Sequence, residues 1–444
     1  MKRRELLIIA PILLLVGLLS TGGGDAPESQ GANTASPVLL RPFNKMLLEG
    51  RLNVITDSTH SLDPFYDQLA DLRAAQTDDG TKRVSILHVG DSHIQAGFLT
   101  GAIMRDFHRD FGNAGRGLVT PLRMARTNEP SDYAIRSNRT WENSRVVQSR
   151  RVWPLGVGGV SIATRSALFT LSVSALEKNE TENYAFNRVR VLKHPAAPQL
   201  QVDEPELSDS IRLIADENRY SYTIELDSLL SEVTLSGRAG ARRDSSIYFG
   251  FSLENGHNGV LYHSVGINGA QFMHWRRIEG WSEQVSALEP TLIILSMGTN
   301  ESLEGDRFSA SRFEAQIDSV VIGLREKNPE ALFLLTTPAD SYRSRRVNRQ
   351  TVYSPNPTVE QVSAVIRNYA ARHGLACWDL FTASGGDGSR EMWWDEELLS
   401  RDHLHFSAEG YEVLAHHLYH ALIKGYNQYV RDVRDRHPEP APHP

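Results

Sequence analysis

The sequence predicts an α/β protein: a doubly wound, mostly parallel sheet with an inserted all-β sandwich domain. Short apolar runs (Val84–Val89, Thr291–Met297, Ala331–Thr337 and Leu375–Leu380) alternate with helix-period segments. Runs of that kind suit strands covered on both faces by helices. Between about residues 131 and 262 the helical spacing fades, and short β-type runs separated by turn residues replace it.

Taken in order, the chain opens with Lys2, Arg3 and Arg4, followed by an apolar run from Leu6 to Leu19 broken only by Pro11 and Gly17. This run is shorter than the ~20 residues that span a bilayer. It has the shape of a signal peptide, with an uncleaved N-terminal anchor over residues 1–24 as the alternative. Residues 25–75 read as a linker, rich at first in Gly, Ala, Ser, Pro and Asn, and a short helix. After the strand Val84–Val89 and the turn Gly90-Asp91-Ser92-His93, Leu99, Ile103, Phe107 and Phe111 recur every fourth residue, and Gly112 ends that helix.

The inserted segment, 131–262, carries β-type runs at Val160–Val173, Phe186–Leu192, Ile211–Ile214, Tyr220–Leu226, Val233–Leu235 and Ile247–Leu253. Downstream, Phe313, Ile317, Val320, Val321 and Leu324 mark one helix face, and Val359–His373 reads as another helix. Ala408–Tyr426 reads as a third, with Tyr411, Leu414, Ala415, Leu418, Leu422 and Ile423 on one side. The α/β domain is therefore expected to be discontinuous, 76–130 and 263–430. Residues 431–444, ending in HPEPAPHP, read as a disordered tail.

The 444 residues carry a net charge of −7 and are 40% apolar and 23% charged. That balance excludes a general nucleic-acid binder, which needs a basic face. Arginines do cluster locally, at Arg150–Arg151, Arg242–Arg243, and Arg343, Arg345, Arg346 and Arg349. They read as solvated surface groups or as a site that attracts an anionic polymer. The single cysteine, Cys377, allows no internal disulfide and reads as a buried small hydrophobe.

Four blocks carry chemistry. Ser92 lies where a buried strand turns into a helix, so its hydroxyl is held rigidly near a helix N-terminus. Asp402-His403-Leu404-His405 precedes the last helix. A Ser hydroxyl needs a base, and the base needs a carboxylate to fix its tautomer. Either His403 or His405 can serve as that base, and the two can also be read as metal ligands, but no further ligands stand at diagnostic spacing. Asn300, in Gly298-Thr299-Asn300-Glu301, offers a side-chain amide at a strand end. In Gly266-Ile267-Asn268-Gly269-Ala270, a glycine lets a backbone N–H approach a ligand. His416, His417 and His420 on the last helix read as surface or packing groups.

These blocks, in this order, resemble those of the SGNH (GDSL-like) hydrolases. The resemblance covers about 84–118 and 263–425 and implies a flavodoxin-like three-layer fold. It implies Ser92 as nucleophile, His405 as base and Asp402 as its partner. The oxyanion donors it implies are Ser92, Gly269 (with Gly266 competing) and Asn300. Glu301 departs from the frequent Asp. The longer string Gly90 to Gly97 (GDSHIQAG), with a β insertion ahead of the Gly block, is similar to exported bacterial peptidoglycan O-acetylesterases. Members of that branch carry a carbohydrate-binding-like β sandwich.

An exported serine esterase of the periplasm or cell envelope is the resulting expectation, removing O-acetyl groups from a glycan without metal or cofactor. Trp393 and Trp394 are candidates for stacking a sugar ring, with core packing as the alternative. A polysaccharide O-acetyltransferase using the same triad, and a glycan-binding protein with a degenerate site, are the rival readings. No nucleic-acid partner is expected, and a membrane enters only through the N-terminal anchor.

Overall fold

The computed structural model describes residues 36–41, 52–75, 81–176, 183–203, 211–238 and 245–436. The leader, most of the linker before residue 52, Arg242–Arg243 and the HPEPAPHP tail lie outside the described residues. Among the described residues no helix is long and apolar enough to cross a membrane.

The central sheet has six strands: β1 (Ile55–Thr56), β2 (Arg83–Gly90), β3 (Gly259–Gly266), β4 (Leu292–Ser296), β5 (Leu332–Thr336) and β6 (Ala376–Trp378). Their spatial order is β1-β6-β5-β4-β2-β3. All pairs are parallel except the short antiparallel edge strand β1. Alternation along β2 feeds both faces. Val84 and Ile86 join one core with α1 (Asp63–Ala74), α2 (Phe98–Phe111) and α5 (Ala408–Arg436). Leu87 and Val89 join the other with α3 (Ala310–Lys327) and α4 (Thr358–Arg372). This is the three-layer arrangement the apolar runs call for.

The helix faces read from spacing are the buried ones. Leu99, Ile103, Phe107 and Phe111 of α2, and Phe313, Ile317, Val320, Val321 and Leu324 of α3, are buried. Helix α5 extends beyond Tyr426 to Arg436, because Tyr429, Val430 and Val433 continue its apolar face into the core. The tail expected from 431 therefore begins inside a helix. Cys377 is buried, and burial pushes its thiol up to about 12, so it stays an inert packing group.

The insertion forms two antiparallel sheets. One runs Ile211–Ala215, Ser221–Leu230, Phe186–Lys193, Ser246–Glu254, Val160–Thr164 and Glu142–Arg145, with Gly117–Val119 also paired to Ser246–Glu254. The other comprises Tyr133–Ser137, Leu168–Ala175, Glu232–Arg238 and Gln201–Val202. The run Val160–Val173 is thus two strands in different sheets. Trp141, Phe169 and Tyr248 pack edge-on between them. Both expected ends of the insertion move. Gly259–Gly266 belongs to the parallel sheet, so the limit at 262 falls inside β3, while Gly117–Val119 already hydrogen-bonds to the sandwich. Apolar runs look alike in both settings, so only pairing separates them.

A buried ion pair ties the entry of the insertion to the α/β body. Arg116 Nε lies 2.6 Å from Asp132 Oδ2, its Nη2 is 3.1 Å from Oδ1, and both residues are buried. Removing one partner leaves the other charge stranded. Arg116→Ala is expected to cost about 3–5 kcal/mol by denaturant unfolding, and Arg116→Met with Asp132→Leu to recover most of it.

Candidate active site

Parallel register brings the motif blocks together. Gly90 at the end of β2 is paired with Gly266 of β3 and Ser296 of β4. At Gly90 a Cβ would lie 2.6 Å from the Ser296 carbonyl oxygen, and at Gly266 a Cβ would lie 2.3 Å from the Gln95 nitrogen. The short helix Ser92–Gln95 therefore rests directly on β3. Asp91 caps it, its Oδ1 accepting the His93 N–H at 3.0 Å.

From the other side comes the turn before α5. His403 adopts a left-handed φ of 55°, which turns its ring away from that of His405. Asp402 Oδ1 accepts the Leu404 and His405 amides at 3.0 and 2.9 Å and the Ser400 hydroxyl at 2.6 Å. Its Oδ2 accepts from His405 Nδ1 at 2.7 Å, leaving His405 Nε2 at 2.8 Å from Ser92 Oγ. Ser92, His405 and Asp402 thus form one hydrogen-bonded line, and the network sets Nε2 as the acceptor.

The electrostatics agree with this order. Burial opposes ionisation of Asp402, but its bonds from His405, Ser400 and the two amides hold the carboxyl well below the carboxylate range. The bond to Asp402 pushes the His405 imidazole above its ordinary value, against partial burial. His93 packs 5.1 Å from the His405 ring, and its Nδ1 meets the Tyr411 hydroxyl at 3.0 Å. Burial, and then the neighbouring His405, lower His93 to about 3, so it stays neutral and adds no competing charge. Burial raises Asp91 to about 6.

The two glycines of the Gly266–Ala270 block separate. Gly266 packs on the Ser92 helix, whereas Gly269 (φ 79°) has open space where a Cβ would be and lines a cleft with Asn300. Asn300 Nδ2 contacts the Ala270 carbonyl oxygen at 3.0 Å and Asp91 Oδ2 at 3.2 Å, which fixes its amide at the rim. Glu301 points inward, where its Oε1 accepts the Phe272 N–H at 2.8 Å; burial raises it to about 8.

The structure separates the remaining candidates. Trp393 is buried and does not reach a ligand: its Nε1 donates to the Ser384 carbonyl at 3.0 Å and its ring meets Phe406 edge-on. Neighbours on a helix point about 100° apart, so Trp394 takes the solvent side, 41% exposed. His403, the rival base, lies among Trp394, Tyr342 and Tyr353. His416 bonds Asp106 at 2.8 Å, and His417 is buried.

With this geometry the likenesses can be placed. Residues 227–413 match the model of the GDSL-like lipase/acylhydrolase family. The α/β body has the fold of the SGNH/GDSL hydrolases. A solved peptidoglycan O-acetylesterase shares the SGNH fold, with a TM-score of 0.66 and 21% identity over 85% of this chain and 99% of that one. A lipase/acylhydrolase from Enterococcus faecalis covers 41% of this chain and 80% of its own, with 19% identity and a TM-score of 0.28. For an acetyl xylan esterase the values are 37%, 81%, 19% and 0.30. No curated protein matches the chain.

Gln95 is a residue of this site that motif reading did not single out. Buried, it accepts the Asn268 N–H at 2.6 Å through Oε1, and its Nε2 reaches Thr127 and Asn128. It therefore fixes the loop that carries Gly269. No local pattern reveals this, because its partners are far away in sequence. Gln95→Leu is expected to lower kcat on the order of 10–10²-fold by loosening that loop, measured on a small ester with the fold checked by circular dichroism.

Proposed function

We propose that this chain is an exported serine esterase that removes O-acetyl groups from a cell-envelope glycan, with peptidoglycan the foremost substrate. The Ser92–His405–Asp402 line carries this reading. His405 Nε2 takes the Ser92 proton as Oγ bonds to the acetyl carbon. The oxyanion is held by the Ser92 and Gly269 amides, and by the Asn300 side chain as one Nδ2 hydrogen turns to it from Asp91 Oδ2. The bond to the glycan oxygen then breaks, His405 returns its proton to that oxygen, and acetyl remains on Ser92. Water attacks next, His405 takes its proton, and acetate leaves with Ser92 restored.

Three further observations support the reading. The likeness to a peptidoglycan O-acetylesterase runs through the sandwich as well as the hydrolase body, since it spans 85% of this chain. The side chains of His405 and Asp402 are 31% and 51% exposed, which leaves water a path to the acyl group and favours hydrolysis over transfer. The basic, then apolar, opening of the chain supports export to the periplasm or cell envelope.

Acetate release from O-acetylated peptidoglycan, run beside the same material chemically deacetylated, tests the substrate; no acetate above that control refutes it. Ser92→Ala is expected to fold and lose nearly all turnover. Asn300→Ala is expected to lower kcat on the order of 10²–10³-fold; parental activity would remove Asn300 from the oxyanion site.

The pH dependence follows from His405. Below its pKa the imidazole is protonated and accepts nothing from Ser92, so kcat/KM falls as pH falls. Because the Asp402 bond raises that pKa, the midpoint is expected above the ordinary value of about 6.5. Asp402→Asn is expected to move it down and to lower kcat on the order of 10³–10⁴-fold.

A further inference from the structure

A two-stranded hairpin, Tyr342–Val347 and Gln350–Pro355, stands out from the hydrolase body beside the active site. Its base is fixed. The Tyr342 N–H donates to the His403 carbonyl at 3.1 Å. The Tyr342 ring lies over the guanidinium of Arg390, which pairs with buried Asp340. Tyr353 packs 4.7 Å from the His403 ring, and Trp394 packs against the same ring at 4.2 Å. Since His403 adjoins Asp402, the hairpin is anchored to the catalytic turn.

Above that base the hairpin is basic. Arg345, Arg346 and Arg349 are exposed. Arg343 lies against Gly305, whose turn (Gly305–Arg307) brings Arg307 to the cleft lined by Gly269 and Asn300. Among the described residues, none of these five arginines forms an ion pair with a carboxylate. The tip is also costly to build. Asn348 and Arg349 have φ of 47° and 68°. That mirror-image turn favours Gly at its second position, yet an arginine is held there. Strain retained at a solvent-exposed cation is a mark of use. The patch also runs against a chain of net charge −7.

We propose that these arginines form a track for the carboxylates of a polyanionic glycan, and that the exposed faces of Trp394 and Tyr353 bear on its sugar rings as it crosses the Ser92 site. The proposal rests on the ester-cleaving reading and narrows its substrate class to acidic polymers. The carboxylates can come from peptide stems, as in peptidoglycan, or from the sugars themselves, as in a polyuronate.

The test uses Arg345→Glu/Arg346→Glu/Arg349→Glu and, as a milder partner, the same positions changed to Gln. Acetate release is measured on O-acetylated peptidoglycan, on an O-acetylated polyuronate and on neutral acetylated xylan. The acidic-over-neutral ratio of kcat/KM is expected to fall at least about tenfold with Glu and less with Gln, mainly through KM. High salt should bring the parent towards the Glu variant. Loss on one acidic polymer alone identifies the source of the carboxylates.

Equal ratios in parent and variants, or a parental ratio indifferent to salt, overturn the proposal. A second arm needs no turnover: full-length Ser92→Ala protein, with and without the Glu changes, is sedimented with deacetylated peptidoglycan and with the deacetylated polyuronate. Binding to either that weakens at least about tenfold on charge reversal supports the track, and unchanged binding to both refutes it. If the parent releases no acetate from any polymer, the esterase reading fails while this arm still decides the role of the arginines.

Discussion

Gly90, Gly266 and Ser296 stand side by side at the carboxyl ends of three hydrogen-bonded parallel strands, with no room for a Cβ at either glycine. From that row the Ser92 helix gains its height, because Gly266 lets its backbone lie directly on β3. The same row sets the place of Asn300, since β4 runs out beside Gly90 and the chain turns at Gly298 into the short helix Thr299–Ser302. Carboxyl ends of parallel strands are where α/β sheets bind ligands. Here a one-residue slip would separate Ser92 from both glycines of the Gly266–Ala270 block.

His405 and Asp402 arrive on the turn ahead of α5, and their approach depends on burial rather than pairing. The apolar face of α5 packs on α2, which follows the Ser92 helix, with Phe107 and Tyr419 in edge-on contact. Ahead of α5, Leu399 and Phe406 form an antiparallel bridge, and Ser400 donates its N–H to the His405 carbonyl. The turn carrying Asp402 and His405 is therefore closed before any substrate enters. Neutral His93 packs beside the His405 ring without placing a second charge there.

Much of this was legible in the sequence because it is periodic or contiguous. Fourfold spacing in α2 and α3 named their buried faces, and unbroken apolar runs named β2, β4 and β5. The motif residues Ser92, Asp402 and His405 could be named because each lies at an element end, where chain direction changes. What escaped was whatever depends on pairing or on contacts far along the chain. Residues 260–262 are as apolar in a parallel strand as in a sandwich strand, so the edge of the insertion was misplaced. Trp393 and Trp394 are adjacent and identical in type, and only the helix Ser389–Asp395 sets one inward and one outward. The hairpin at 342–355 was invisible as structure, because charged residues interrupt the alternation that marks a strand, although its arginines stood out.

The insertion is more than an attachment to the catalytic body. Gly117–Val119 hydrogen-bonds to the sandwich strand Ser246–Glu254, while the Leu118 N–H donates to His263 Nδ1 in β3 at 3.0 Å. His263 is buried and held far below its ordinary pKa by that burial, so it is a neutral acceptor at neutral pH. The same entry segment carries Asn128, whose Oδ1 accepts from both Gln95 and Asn268. A change in how the sandwich meets the sheet would therefore be felt first at Asn128 and then, through Gln95 and Asn268, at Gly269. Buried polar networks of this kind tolerate little partial loss, so the β domain and the loop that carries Gly269 are held as one unit.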